Sequence, residues 1–411
     1  MNFKTRCLLL AAIAAVAAIG WVPVANAYPS NFATSAHPIG LAYNGTDLLM
    51  TGGDEANTEC TNDVTAWNTS GQSRLFAKLR DRPGCVGSQL ESYMYTVPEY
   101  EFAWPVGTTY VVHGAHIYAI DKDGNWFNFA DGPCKDNDIP GVTIDTGGNW
   151  GHLMFVTCST SGKVYTVDNA GVPRLFADLS KLPIKAGWLE APAIAPRGFS
   201  QPSALLIADE NQSKVYSFSP FDDSRSATVL ATFPGVEHID FIPENLCTFG
   251  DTGGAFFSAV PSWDVGTIDK RPPADFAGYG GQAVLTSEYG QGLGILTGPG
   301  NVIPFQYNYD RSRTYEASTF MTYKQGCGAV TDWRGYTHTG VPLPQWNPDA
   351  RILPGAHTRF AIPMKIEATR QRIRKRPPHR IKLFGASRAA KQCARQFVRF
   401  KGQRCPRFPG R

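Results

Sequence analysis

The chain has 411 residues, 43% of them hydrophobic and 12% aromatic, with 41 Gly, 30 Pro and a net charge of +4. That length makes one large all-β domain or two ordinary ones, and no long stretch has the apolar spacing of an amphipathic helix, which excludes bundles and coiled coils. The small net charge conceals two unlike regions: 16 Lys and Arg and one acid, Glu367, lie in Lys365–Arg411, which with Lys4 and Arg6 near the start leaves 21 of the 39 bases against 34 of the 35 acids in between.

Residues 1–27, MNFKTRCLLLAAIAAVAAIGWVPVANA, place two bases before an apolar run and end on Ala25-Asn26-Ala27. This is the layout of a secretory signal with a cleavage site. The apolar run is shorter than the roughly 20 residues a spanning helix needs, which favours cleavage over a membrane anchor. No later segment reads as membrane-spanning. The expected location is secreted, extracellular or periplasmic.

From residue 38 onward the chain repeats itself. VTAWNTSGQSRLFAKL (Val64–Leu79), IYAIDKDGNWFNFADG (Ile117–Gly132) and VYTVDNAGVPRLFADL (Val164–Leu179) align without a gap. Each has four strand-like residues, a polar turn closed by Gly, and then Phe-Ala. Gly at such turns permits the positive φ of a tight hairpin. Two further strands precede each unit, so the full unit is four short antiparallel strands in about 50 residues. That is the signature of a β-propeller blade. One such sheet cannot bury both faces alone, and radial packing of several blades does so. The alignment counts six blades, at about 38–79, 100–132, 140–180, 190–234, 235–278 and 280–307, and leaves five or seven open. Tyr28–Ser35 is available to close the ring by adding a strand to the last blade. The expected fold is all-β: a propeller over 28–345 and a basic extension over 346–411.

Eight cysteines follow the signal, an even number that suggests disulfides in an exported chain. Nearest-neighbour pairing gives 60–85, 134–158, 247–327 and 393–405. No CxxC spacing points to zinc or redox chemistry. The tail contains RQRIRKRPPHR (Arg370–Arg380) and then ARQFVRFKGQR. It reads as a small basic β module or a disordered extension. Its charge suits adhesion to an anionic surface such as cell-wall polymer or phospholipid. Without an aromatic stacking array or zinc pattern, nucleic acid is not the expected partner.

The unit P-x-G-[LV]-x-[YI]…[VI]-Y-x-[VI]-D-x-x-G resembles that of six-bladed propellers of the NHL-repeat and SMP-30/gluconolactonase/streptogramin-lyase-like superfamily, over most of residues 38–307. This fold hosts enzymes and inert binders alike. The resemblance to its lactonase branch implies a divalent cation of the Ca²⁺ type in the channel, held by oxygen ligands and polarising a lactone carbonyl. In that pattern Asn137-Asp138 is similar to a substrate-holding Asn-Asp pair, and Asp209 in LLIADENQ is similar to a metal-ligand Asp. The first-blade segment SAHPIGLAY has no Glu where one is expected, and GWLEAPAIA offers Glu190 where Asn is expected. A rearranged cation site on Asp138, Glu190, Asp209 and Glu237 is the resulting expectation, with Asn137 as a ligand-binding residue. His238, in VEHIDF, sits where an inner strand begins and is the candidate catalytic base.

Two functional expectations follow. The first is a non-catalytic exported propeller that binds a ligand or protein partner at its channel face, with its tail on an anionic surface. The second is a metal-dependent lactonase or esterase.

Overall fold

A computed structural model of the chain describes residues 30–52, 61–80, 92–98, 103–135, 138–181, 187–222, 224–243, 246–262, 265–305, 313–321, 330–331 and 337–338. The signal-like segment and the basic tail lie outside these residues. The described chain is almost wholly strand and turn, and its first strand is β1 (Ser30–Ser35). Four blades follow, each a continuous antiparallel meander with its first strand innermost. Blade 1 is β2 (Pro38–Tyr43), β3 (Leu48–Gly52), β4 (Thr61–Trp67) and β5 (Ser73–Arg80); blade 2 is β6 (Tyr93–Thr96), β7 (Thr109–His113), β8 (His116–Ile120) and β9 (Trp126–Asp131). Blade 3 is β10 (Val142–Ile144), β11 (Met154–Cys158), β12 (Lys163–Val167) and β13 (Pro173–Asp178); blade 4 is β14 (Leu189–Ile194), β15 (Leu205–Asp209), β16 (Lys214–Phe218) and β17 (Thr228–Thr232). Blade 2 thus begins at Tyr93, earlier than the repeat alignment places it.

The last two blades exchange strands. The chain lays down β18 (Val236–Phe241) as the inner strand of blade 5 and then leaves it. It builds β19 (Phe256–Val260) and β20 (Gly266–Arg271) in blade 6, and returns to complete blade 5 with β21 (Ala283–Ser287), β22 (Leu293–Gly298) and β23 (Asn301–Phe305). β24 (Ser318–Phe320) is the inner strand of blade 6, and β1 closes its outer edge on β20. Six four-stranded blades result, as the repeat count expects. The division into consecutive blades at 235–278 and 280–307 is corrected: residues 256–271 belong with β1 and β24, and residues 236–241 belong with 283–305. Both hairpins have the same strand–turn–strand rhythm, and local patterning carries no record of which hairpin pairs with which inner strand. A separate two-stranded ribbon joins β25 (Val330–Thr331) to β26 (Thr337–His338).

The Phe-Ala that ends each repeat is a β-bulge. Val64 faces Ala77 and Thr65 faces Leu75, so Phe76 is an extra residue. Phe129, Phe176 and Leu230 hold the same place in blades 2, 3 and 4. A bulge sets two residues opposite one, turning both toward the same side. The aromatic and the Ala therefore both enter the wedge between blades, where Phe176 meets Trp150, Phe155 and Phe218 edge to face. The same bulge breaks the regularity of an exposed edge strand, which discourages edge-to-edge pairing.

Near the channel a second device recurs in alternate blades. The Thr51 hydroxyl accepts from Gly40 N and donates to Ser92 O of blade 2. Thr157 does the same between Gly141 N and Glu190 O, and Thr286 between His238 N and Glu316 O. Each satisfies a donor and an acceptor that no ladder bond reaches in the buried interior. The inner strands approach so closely there that a Cβ on Gly141 would stand 2.5 Å from Ala191 Cα.

Cys134 and Cys158 form a disulfide that joins the end of blade 2 to blade 3. Cys247 is also disulfide-bonded. The other expected pairs involve Cys60, Cys85, Cys327, Cys393 and Cys405, which lie outside the described residues.

Candidate functional site at the channel mouth

Two inner strands open on a triplet of an apolar residue, Glu and a further residue, Leu189-Glu190-Ala191 and Val236-Glu237-His238, and the same kind of triplet, Tyr315-Glu316-Ala317, immediately precedes β24. The apolar member is fully buried in each case, which fixes the strand start in the inter-blade core. Glu190, Glu237 and Glu316 are 1%, 3% and 5% exposed. Two second strands end on a matching Glu. Glu210 follows β15 and donates its N–H to Trp188 O, and Glu288 follows β21 and donates its N–H to Gly235 O. Blades 4 and 5 therefore each bring an inner-strand Glu and a second-strand Glu to one rim of the channel.

Oxygens of Glu190, Glu210 and Glu237 lie within 4.8 Å of one another. Tyr93 of blade 2 donates its hydroxyl to Glu237 Oε1 at 2.5 Å. Burial, reinforced by the hydrogen bond that protonated Glu210 donates to its neighbour Glu288, raises the Glu210 carboxyl to about 7. Two carboxyl groups share such a bond only if one of them holds the proton. Tyr289 completes this edge, and its hydrogen bond to Glu210 lifts its phenol to about 12.

The predicted residues divide among different places. Glu190 and Glu237 enter the cluster. Asp209 stands outside it: its carboxylate accepts from Gly187 N, Trp188 N, Gln212 N and the Tyr216 hydroxyl, holding the loop before β14. Asp138 also stands outside, accepting from Lys135 N, Thr160 N and the Thr160 hydroxyl. Its neighbours Cys134 and Cys158 are joined to each other and offer no thiolate to a metal. Asn137 lies outside the described residues.

His238 lines the channel beyond Glu237. Its ring stacks on Tyr93 at 6.0 Å, and its Nδ1 is 3.4 Å from Ser318 Oγ. The residue is half-buried among the inner strands. Enclosure pushes its pKa down to about 4, which makes it a weak proton acceptor at neutral pH. Two residues further on, the same enclosure pushes Asp240 up to about 8.

Sequence reasoning missed Glu210, Glu288 and Tyr93. The signal for Glu210 was one residue from Asp209. Consecutive residues at a strand end face opposite ways, so choosing the Asp selected the side chain that ties the loop.

The fold and this arc of carboxylates define a six-bladed propeller with an acidic channel mouth. A scan against protein-family models finds no match, and a search of curated proteins finds none. Solved structures give distant likenesses. Virginiamycin B lyase from Staphylococcus aureus is 15% identical over 67% of this chain and 87% of that one, with a TM-score of 0.38. A gluconolactonase-type protein is 12% identical over 70% and 83%, with a TM-score of 0.42. The calcium-binding protein regucalcin from Agrobacterium tumefaciens is 10% identical over 66% and 77%, with a TM-score of 0.35. Likeness at this level assigns no activity and no ligand.

Proposed function

We propose that the protein is a cation-dependent binding propeller. Glu190, Glu210 and Glu237 hold a hard divalent cation of the Ca²⁺ type, and the cation presents an open face to an oxygen-bearing ligand at the channel mouth. The observation that carries this reading is the convergence of three carboxylate groups within 4.8 Å, each at least nine-tenths buried. Oxygens on opposite sides of a Ca²⁺ ion, each at about 2.4 Å, stand about 4.8 Å apart. Carboxylates are the donor type such an ion prefers, and burying three of them together is costly without a compensating charge. Glu237 arrives already oriented by Tyr93.

The test is thermal unfolding after chelation, then with Ca²⁺ added. A ligand that binds only the folded state stabilises it by about 2.7 kcal/mol at a hundredfold excess over Kd. An upward shift that E190Q and E237Q each abolish is the expected result. No shift at millimolar Ca²⁺, Mg²⁺ or Mn²⁺ sinks the reading and leaves a cation-free binding surface.

One observation favours a second reading, hydrolysis of a lactone or ester. Burial and the hydrogen bond with Glu288 raise Glu210 to about 7 beside the proposed cation, the range a general acid or base requires. Proton release from simple lactones and aryl esters, measured in a pH-stat, decides it. Turnover lost in E210Q supports hydrolysis, and no turnover with any ester returns the protein to binding alone.

We also propose that Lys365–Arg411 holds the exported protein to an anionic surface. Exposed charges are screened by salt, so adhesion to anionic vesicles or cell-wall polymer should fall with ionic strength. It should vanish on truncation after residue 364.

A further inference from the structure

We propose that residues Arg313–Glu316 form a strap fixing the blade 5 side of the carboxylate site, and that the Arg313–Asp269 pair is the pin that sets it. Its bearing on cation binding rests on the proposed function; the strap itself does not.

The strap spans two blades. Thr314 Oγ1 donates to Glu288 O at 3.0 Å, and Tyr315 N donates to Ser287 O at 2.9 Å. Glu316 O accepts from Thr286 Oγ1 at 2.7 Å. Three consecutive strap residues thus hold Thr286, Ser287 and Glu288, the end of β21 that carries the hydrogen-bond partner of Glu210. On its other side, Glu316 N donates to Ala259 O of blade 6. Beyond the strap, Ser318 meets His238.

The pin lies one residue upstream. Arg313 pairs with Asp269 at 2.9 Å and reaches Thr267 Oγ1 at 3.3 Å, with its guanidinium over the Tyr315 ring. The Asp269 side chain is 3% exposed, so this is no solvated surface pair. Both Asp269 and Thr267 belong to β20, the strand that β1 covers: Asn31 pairs with Asp269, and Thr34 with Thr267. Phe32 anchors β1 against Phe249 and Phe257. A continuous path of pairings therefore runs from the N-terminal strand through β20, Asp269, Arg313 and the strap to Glu288. Coupling between distant sites needs such a chain of packed and bonded groups. Groups that orient ligating residues typically alter metal affinity about 10- to 100-fold when removed.

The experiment uses the full mature chain and two readouts. Hydrogen exchange reports protection of amides 286–289 and 315–318, and terbium luminescence reports cation affinity. The expected result for R313A is loss of protection in both segments with blades 1–3 unchanged, and terbium affinity about tenfold weaker. R313K should restore much of both, because it keeps the charge beside Asp269. F32A should reproduce the pattern by loosening β1. If R313A fails to fold, D269N keeps the volume and removes the charge, and T314V deletes only the bond to Glu288 O. Wild-type protection at 286–289 in folded R313A, D269N or T314V overturns the strap, as does uniform loosening of every blade. A wild-type protein that binds no terbium removes the cation reading, and exchange still decides the strap.

Discussion

Blades 1–4 and blades 5–6 reach the same four-stranded form by different routes. Each of the first four is one continuous stretch, and its pairings join near neighbours in sequence. Blade 5 has a hairpin of another blade inserted between its first and second strands. Blade 6 is gathered from three separate segments, the first of them at the N-terminus. Its β1–β20 pairing closes a loop of most of the chain, whose entropic cost grows only slowly with length. The repeating part builds the wall of the ring, and the interlaced part locks it. The carboxylate cluster sits where the two meet, with Glu190 and Glu210 from a continuous blade and Glu237 from an interlaced one.

Deleting β1 should have the largest effect. It removes the outer strand of blade 6 and exposes the Phe249–Phe257 contact. Hydrogen exchange should show blades 5 and 6 opening together, at lower denaturant than blades 2 and 3. The milder F32A should cost about 2–3 kcal/mol, since Phe32 is only partly buried. Equal opening of all six blades would erase the distinction between the two routes.

Next in size are the three hydroxyl staples. T51V, T157V and T286V each remove one buried acceptor and one buried donor, leaving two backbone groups unsatisfied at about 1–3 kcal/mol each. Stability should fall alike in all three, by urea denaturation. Cation affinity should rank them: Thr286 holds the interlaced side of the site and Thr157 fixes Glu190 O, while Thr51 reaches it only through Ser92 O, beside the Tyr93 that orients Glu237. A loss of affinity in T51V equal to that in T286V would mean the site feels only overall stability.

A smaller effect depends on pH. Burial raises the folded-state pKa of Glu210 to about 7 and of Asp240 to about 8. The folded state therefore holds these protons more tightly than the unfolded chain. The stability they contribute is complete below their unfolded values and is lost as pH rises through 7 to 8. E210Q should flatten the lower part of that decline and D240N the upper part, in melting temperatures taken from pH 5 to 9. Cation binding should run the other way and strengthen as Glu210 loses its proton. An unchanged slope in both variants would refute the assigned groups.

Much of the architecture was legible in the sequence because the repeat is local. Phe-Ala, the Asx-Gly turn and the Pro-opened strand each answer to a nearby constraint. Asp121 Oδ1 accepts from Asp123 N and Asn125 N, and Gly124 turns at φ 85°. These are contacts within five residues. The exchange of strands was not legible, since β18 finds β21 across an inserted hairpin and nothing in VEHIDF names that partner. The site was partly legible for the same reason. Glu190 and Glu237 start strands that the repeat locates, whereas Glu210 was separable from Asp209 only by knowing which way each faces at the end of β15.

The smallest predicted effect sharpens the bulge itself. Leu175 and Phe176 are adjacent and both apolar, so composition treats them alike. The bulge turns Phe176 into the wedge at 8% exposure and leaves Leu175 outside at 50%. L175S should therefore change stability by no more than about 0.5 kcal/mol, the range of an ordinary surface substitution. F176A should cost about 3 kcal/mol or more, since it empties a site packed by Trp150, Phe155 and Phe218. The same contrast should hold between Leu75 and Ala77 in blade 1, where Leu75 is 57% exposed and Ala77 is 4%: L75S should be neutral, while enlarging Ala77 to Leu should overpack the wedge by about 1–3 kcal/mol. Equilibrium urea unfolding of the four variants measures all of this. If L175S proves as damaging as F176A, the outer strand runs in unbroken alternation and the Phe-Ala motif has some other cause.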